Sequence, residues 1–346
     1  MIDIFLLIPI DFIYKLFGAR EVNKRISRWV GLLWNGLWKE IIDVTWTLYK
    51  IMVPMIIVIK VVEELGGIEL LSHWLSPVMS LVGLPSEMGL VWATTLVTNM
   101  YAGLVVFMSL DVDLTVAQVS ILGTLLLLAH SLPVEVAVAK KAGVGIVATL
   151  VIRLGGGLLM GWILHHIYQS GDLLNTTAHT VWKHTPTSDP SYIAWALDQL
   201  QSLAMIFVVI AALMTLLRLL KLLGIEKLMA ILLKPILSVL GISREATNLT
   251  IVGITLGVSF GGGLLINEAK RGHISPRDIF VAMMLLNLLH SLIEDTLLIL
   301  LIGADFMTIF WGRIVFAVVV IGILVFVLKR VDESTCRKFL YKKISS

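Results

Sequence analysis

His130-Ser131-Leu132-Pro133-Val134-Glu135 returns 160 residues later as His290-Ser291-Leu292-Ile293-Glu294-Asp295. Each copy interrupts a long apolar run with ionisable side chains, which are costly in lipid and by default mark a functional site. The same offset carries Gly143 to Gly303 and Arg153 to Arg313. Upstream the offset is 158, taking Gly66 to Gly224, Pro77 to Pro235, Gly83 to Gly241, Glu87 to Glu245 and Gly103 to Gly261. The chain is two copies of one unit.

Composition sets the class. Of 346 residues, 58% are hydrophobic and 15% charged, and the mean hydropathy is +0.94. A soluble domain carries roughly a quarter charged residues. Apolar runs recur near the ~20 residues that a helix needs to cross a bilayer core, and the alternating pattern of a β-barrel is absent. An all-α integral membrane protein follows. The single cysteine, Cys336, excludes an internal disulfide and a multi-cysteine metal cage within the chain.

Residues 1–41 read as an amphipathic interfacial helix. Arg20, Lys24, Arg25 and Arg28 precede Trp29, Trp34 and Trp38, a density of basic and indole side chains suited to the interface. Met1 to Phe17 carries Asp3, Asp11 and Lys15 and reads as a poor signal peptide. Eight apolar spans follow, at 42–65, 84–110, 114–139, 143–168, 192–222, 243–266, 277–302 and 305–329. Shorter segments at 68–81 and 226–240, holding Pro77 and Pro235, read as interfacial.

Lysines and arginines then choose the topology, because cytoplasmic loops are enriched in them. Eight crossings from a cytoplasmic N-terminus would turn Lys140, Lys141 and the stretch holding Arg218, Lys221, Lys227, Lys234 and Arg244 outward. If 84–110 and 243–266 are instead re-entrant hairpins, only Lys50, Lys60, Arg153, Lys183 and Arg313 fall elsewhere, leaving 22 of 27 inside. That arrangement has three crossings per unit, an odd number, so the second copy is inverted relative to the first. Inverted repeats with interrupted helices are an architecture of secondary transporters, which bind substrate near the midplane. The expected organisation is 1–41 amphipathic helix, 42–168 first repeat, 169–191 extracytoplasmic linker, 192–329 second repeat and 330–346 cytoplasmic tail. The expected location is a bacterial inner membrane, with both termini cytoplasmic.

The expected hairpin tips align Asn99-Met100-Tyr101-Ala102-Gly103 with Gly257-Val258-Ser259-Phe260-Gly261. Their glycines either permit broken backbone or allow close helix packing. His130 and Arg153 both lie about 17–18 Å from the turn at Ala142, hence at one depth near the middle of a ~30 Å core. His290 and Arg313 repeat the arrangement. Two readings stay open. Arg153 and Arg313 brace the fold through ion pairs with carboxylates and hydrogen bonds to broken-helix carbonyls, or His130, Glu135, His290, Glu294 and Asp295 face a cavity and bind solute or protons. Asn99, Tyr101, Ser259 and Asn287 join the candidate binding set.

No catalytic residue is assigned: His130-Ser131 adjacency is not a dyad, because nucleophile and base must converge in space. No cofactor is expected either. His130 and His290 with Glu135 and Asp295 would suit a transition metal by ligand type, but no ligand spacing motif fixes them, so no metal is assigned. Walker and GxGxxG patterns are absent. The expected partners are the lipid bilayer, a small polar solute and a coupling proton or sodium ion, with a homo-oligomer allowed and no nucleic acid.

At Asn99–Gly103, Gly257–Gly263 and the two His-Ser-Leu segments, the sequence resembles the Gate-domain family, also called nucleoside-recognition domain proteins. That group includes membrane portions of ferrous-iron transporters, spore maturation membrane proteins and parts of concentrative nucleoside transporters. The resemblance covers 42–168 and 192–329 and implies transport through a cavity between two Gate units. Unlike the iron transporters, the chain has no GTPase motif and no intramembrane cysteine. A spore-maturation type of membrane scaffold is the alternative the resemblance allows.

Overall fold

A computed structural model of the chain describes residues 19–110, 112–180 and 191–342. Every regular element among them is a helix. The first half runs α1 (Ala19–Glu64), α2 (Gly67–Leu81), α3 (Met88–Val97), α4 (Met100–Ser109), α5 (Val116–Leu128), α6 (Leu132–Lys141) and α7 (Ile146–Gly171). The second runs α8 (Tyr192–Leu222), α9 (Ile225–Val239), α10 (Arg244–Leu256), α11 (Val258–Arg271), α12 (Pro276–Leu289), α13 (Leu292–Leu300) and α14 (Met307–Leu328), followed by α15 (Glu333–Phe339) in the tail. Element by element, the two halves share one order.

Backbone conformation explains why the recurring glycines recur. Gly66 and Gly224, Gly83 and Gly241, and Gly143 and Gly303 all have positive φ, between 68° and 91°. A side chain resists that region, so each pair marks a chain reversal needed in both halves. Ser131 and Ser291 adopt it too, at φ 47° and 44°.

Among the described residues, six helical stretches are long and apolar enough to cross a membrane: Gly36–Glu64, Val116–Lys141, Ile146–Gly171, Tyr192–Lys221, Pro276–Leu300 and Met307–Leu328. The expected spans at 84–110 and 243–266 are each broken into two short helices. α3 and α4 have 10 residues each, about 15 Å of helix, half of a ~30 Å core. α10 and α11 have 13 and 14. The first break is at Thr98-Asn99, where the Asn99 side chain accepts from the Ala102 amide at 3.0 Å and caps α4. The second is Gly257, at φ 92° and ψ 165°, a region essentially reserved for glycine.

Both expected roles of the tip glycines are present, at different positions. Gly257 makes the break. Gly103 and Gly261 lie inside helices, where an added Cβ would collide with Thr95 Oγ1 and with the Gly253 backbone, so these two allow the paired helices to touch.

Two expectations need correction. The boundary at residue 41 does not end a helix: α1 runs unbroken from Ala19 to Glu64, while residues 1–18 lie outside the described residues. Nothing around Lys39-Glu40-Ile41-Ile42 can stop it, having no glycine, proline or capping side chain. Glu40 is tied to Arg218 of α8 at 3.0 Å, holding this stretch against its counterpart. The other correction concerns 114–139 and 277–302, read as continuous helices. Each is broken at the His-Ser pair, between α5 and α6 and between α12 and α13. Pro133 follows the first break and lacks the amide that would continue the helix. Ile293 stands at the equivalent place, so proline alone does not cause the second.

The tail folds back onto the turn after α6. Gly145 N donates to Leu340 O at 2.7 Å and Lys342 N to Gly143 O at 2.8 Å. Cys336 is buried and free.

Gly257→Ala and Gly263→Ala test the break. Gly257→Ala should destabilise by about 1–3 kcal/mol, the cost of a strained backbone position, with a lower unfolding midpoint in detergent. Gly263 sits in α11 with open space around it, so Gly263→Ala should gain roughly 0.5–1 kcal/mol. Equal shifts for both would contradict the assigned conformation.

Candidate functional site

A helix broken inside a nonpolar environment leaves carbonyls that the next turn would have satisfied. At the two His-Ser breaks those carbonyls are taken by side chains. His130 Nδ1 lies 2.8 Å from Leu126 O and His290 Nδ1 lies 2.8 Å from Leu286 O. Arg153 donates to His130 O at 2.9 Å and across to Asn287 O at 3.0 Å. Arg313 donates to His290 O at 3.0 Å, to Leu288 O at 2.8 Å and across to Leu127 O at 3.2 Å. Both guanidiniums are fully buried. Each sits at a π-helical stretch, Val151–Gly155 or Met307–Gly312, the kind of local widening that often marks a functional position.

The exchange is reciprocal. Arg153 reaches the carbonyl of residue 287 in the other half, and Arg313 reaches that of residue 127, the same position less the offset of 160. The breaks are pinned to the short helix pairs as well. Ser131 N donates to Thr95 O at 3.0 Å and Ser131 Oγ to Thr98 O at 2.8 Å, beside the end of α3. In the second half Ser291 Oγ lies where a Cβ on Gly257 would fall, 2.7 Å away.

Within this frame the two imidazoles meet. Nε2 of His130 and Nε2 of His290 are 3.0 Å apart. Glu135 Oε1 lies 3.2 Å from the first and 3.3 Å from the second, while its Oε2 forms an ion pair with Arg153 Nη1. Asp295 occupies the position equivalent to Glu135 with one methylene fewer, and its Oδ2 stops 3.9 Å from His290 Nε2. His130, Glu135, His290 and Asp295 are all buried, between 3% and 9% exposed. His130, His290 and Asp295 can each offer a ligand atom such that all lie within 4.8 Å of one another.

Of the nine candidate binding residues, four form this cluster: His130, Glu135, His290 and Asp295. Asn287 borders it. Its backbone oxygen takes Arg153, while among the described residues neither side-chain atom has a hydrogen-bond partner, although the residue is fully buried. Tyr101 is half-buried. Among the described residues no hydrogen bond or ion pair joins Glu294 to the imidazoles. Asn99 works as a helix cap. The Ser259 side chain lies outside the described residues.

The expected ion pairs divide. Arg153 has one, with Glu135. Arg313 makes none within 4.0 Å among the described residues and is held by three carbonyls instead, since Asp295 is too short to reach across. Carbonyl bracing of the arginines was expected, but which carbonyls take part, among them those of Leu126, Leu127, Leu286 and Leu288, was not legible from residue types.

No family model matches the chain, and no solved structure matches it. Over 263 residues it is 26% identical to "Uncharacterized membrane protein YvoD" of Bacillus subtilis (strain 168), covering 75% of this chain and 83% of that protein. Together with the six long apolar helices, this makes the chain a multi-pass integral membrane protein.

A double-mutant cycle separates charge from scaffolding. Arg153→Ala should cost about 3–5 kcal/mol, because it strands the Glu135 carboxylate, and adding Glu135→Gln should recover part of that loss. Arg313→Ala should also destabilise, by about 1–3 kcal/mol for each buried carbonyl left unpaired, but Glu135→Gln should not rescue it. Unfolding midpoints in detergent give the comparison, and equal rescue in both backgrounds would refute the assigned pairing.

Proposed function

We propose that this protein is a secondary transporter of the Gate-domain kind, in a bacterial inner membrane, moving a small polar or ionic solute. The solute binds between two inverted repeats, near the midplane, at the four-residue cluster. The observation that carries this reading is the convergence of two histidines and a carboxylate from opposite halves at buried helix breaks. Ionisable groups are expensive at such depth and occur there for solute or proton handling.

The reciprocal arginine contacts support a twofold relation between the halves. Two halves related by a twofold axis exchange contacts so that residue i meets j and j meets i, and residues 127 and 287 do this with Arg313 and Arg153. Three crossings per half put that axis in the membrane plane, with α3–α4 and α10–α11 as re-entrant hairpins entering from opposite faces. The tail contact agrees, since it joins two segments, 143–145 and 340–342, that this topology puts on the cytoplasmic side.

Access would come from two clefts. One, of about 200 Å³, is lined by Lys60, Glu63, Ser109, Asp198 and Gln199, at the end of α4 far from Asn99. The other, of about 240 Å³, is lined by Ala269, Gly272, Ser275 and Arg337, at the corresponding end of α11. In the inverted topology these ends face opposite sides, and the cluster lies between them. The buried cluster then corresponds to an occluded stage of alternating access.

One observation favours a second reading, a non-transporting membrane scaffold. The Arg153–Glu135 pair is closed and the cluster is buried, as a static brace would be. Transport separates the two. A thermal-shift screen over nucleosides, divalent metals and organic acids should find a stabilising class. Proteoliposomes should then take up that compound, and His130→Ala with His290→Ala should abolish uptake while the protein still inserts. Undiminished flux in the double variant removes the histidines from the mechanism, and the absence of flux for every stabilising compound favours the scaffold.

A further inference from the structure

We infer that His130, His290 and Glu135, with Asp295 in reach as a fourth ligand, form a binding site for one divalent first-row transition-metal ion. The inference begins from hydrogen bonding. A carbonyl oxygen can only accept, so the 2.8 Å contacts to Leu126 O and Leu286 O put the hydrogen of each neutral imidazole on Nδ1. Each Nε2 therefore presents a lone pair. The two lone pairs face each other at 3.0 Å, and a third electron-rich atom, Glu135 Oε1, stands 3.2 and 3.3 Å from them. Three acceptors at these separations repel unless a cation lies among them.

The shape chooses between a proton and a metal. A proton joins two atoms along a line. Here the three edges are 3.0, 3.2 and 3.3 Å, a nearly equilateral triangle. Ligands about 2.0–2.1 Å from a common ion are about 2.9 Å apart at right angles and about 3.4 Å apart in a tetrahedron. The observed edges fall within that interval. Two imidazoles and carboxylate oxygens, with no thiolate, suit zinc and its first-row neighbours.

The surroundings are those of a metal centre. The distal nitrogen of each histidine ligand is fixed on a backbone carbonyl, which sets ring orientation and tautomer. The second oxygen of Glu135 is held by Arg153. Asp295 Oδ2 has no hydrogen-bond partner among the described residues, lies 3.9 Å from His290 Nε2 and falls with the two histidines inside one 4.8 Å ligand group. The carboxylate charge is shared: Glu135 gives Oε2 to Arg153 and turns Oε1 toward the imidazoles, while Arg313 is held by three carbonyls.

This site stands whether or not the protein transports. Under the transport reading, the metal ion is the solute or is bound with it. The test uses full-length protein in detergent, with any affinity tag removed. Titrated Co²⁺ should give d–d absorption of a low-symmetry nitrogen–oxygen site at one equivalent, and Zn²⁺ should displace it. His130→Ala with His290→Ala should lose that equivalent, while His273→Ala, at an exposed histidine, should keep it. Arg153→Lys, which leaves the ligands but loosens Glu135, should weaken affinity 10–100-fold. If the double histidine variant fails to fold, Asp295→Asn and the chelator dependence of the wild-type unfolding midpoint take its place: chelation should lower the midpoint and Zn²⁺ restore it. Absence of a stoichiometric equivalent, binding that survives loss of both histidines, or a midpoint that follows pH but ignores metal and chelator would overturn the site. Metal that binds but is not moved by proteoliposomes would fail the transport reading alone.

Discussion

The structure depends on two buried guanidiniums hydrogen-bonded to the carbonyls of two broken helices. Arg153 and Arg313 together take five backbone oxygens, two of them across the boundary between halves. In water an interrupted helix is mended by solvent. In a nonpolar interior each unsatisfied carbonyl costs several kcal/mol, so the break survives only where another donor stands ready. Arginine suits the place because its planar fork offers five N–H donors and stays charged. The histidines complete the mending from below, each closing the carbonyl four residues back.

That bracing positions the imidazoles. With Nδ1 committed to backbone, each ring turns Nε2 toward its counterpart, and the acidic side chain four residues after each αL serine, Glu135 or Asp295, comes back toward the rings. One methylene then breaks the symmetry. Glu135 spans from Arg153 to both rings, whereas Asp295 stops short and leaves an oxygen unpartnered. The two halves thus share a backbone plan but divide the polar work unequally, one carboxylate holding the rings and the other left able to accept a cation.

Much of the fold was legible beforehand, and for identifiable reasons. Hydropathy located the six long apolar helices among the described residues, and the spans at 84–110 and 243–266, set apart in the sequence, are pairs of short helices. The paired glycines were visible as pairs because positive φ admits few other residues, and three of the pairs have it. The helix breaks at His130 and His290 were not legible, because polar residues in an apolar run do not by themselves mark a break and only one stretch has a proline. Nor could residue 41 be recognised as helix interior, since basic and indole side chains describe an environment and not a backbone.

The sequence by itself determined the membrane class and the duplication, since both are written in hydropathy and spacing along one chain. Only the tertiary structure decided that residues 160 apart touch, that Arg153 has a carboxylate while Arg313 makes do with carbonyls, and that two Nε2 atoms and an oxygen form a triangle. Those are distances between halves. Spacing within a helix sets which residues share a level, but the angle at which two broken helices meet is set by packing and by which donor satisfies which carbonyl, and neither is encoded in any local run of residues.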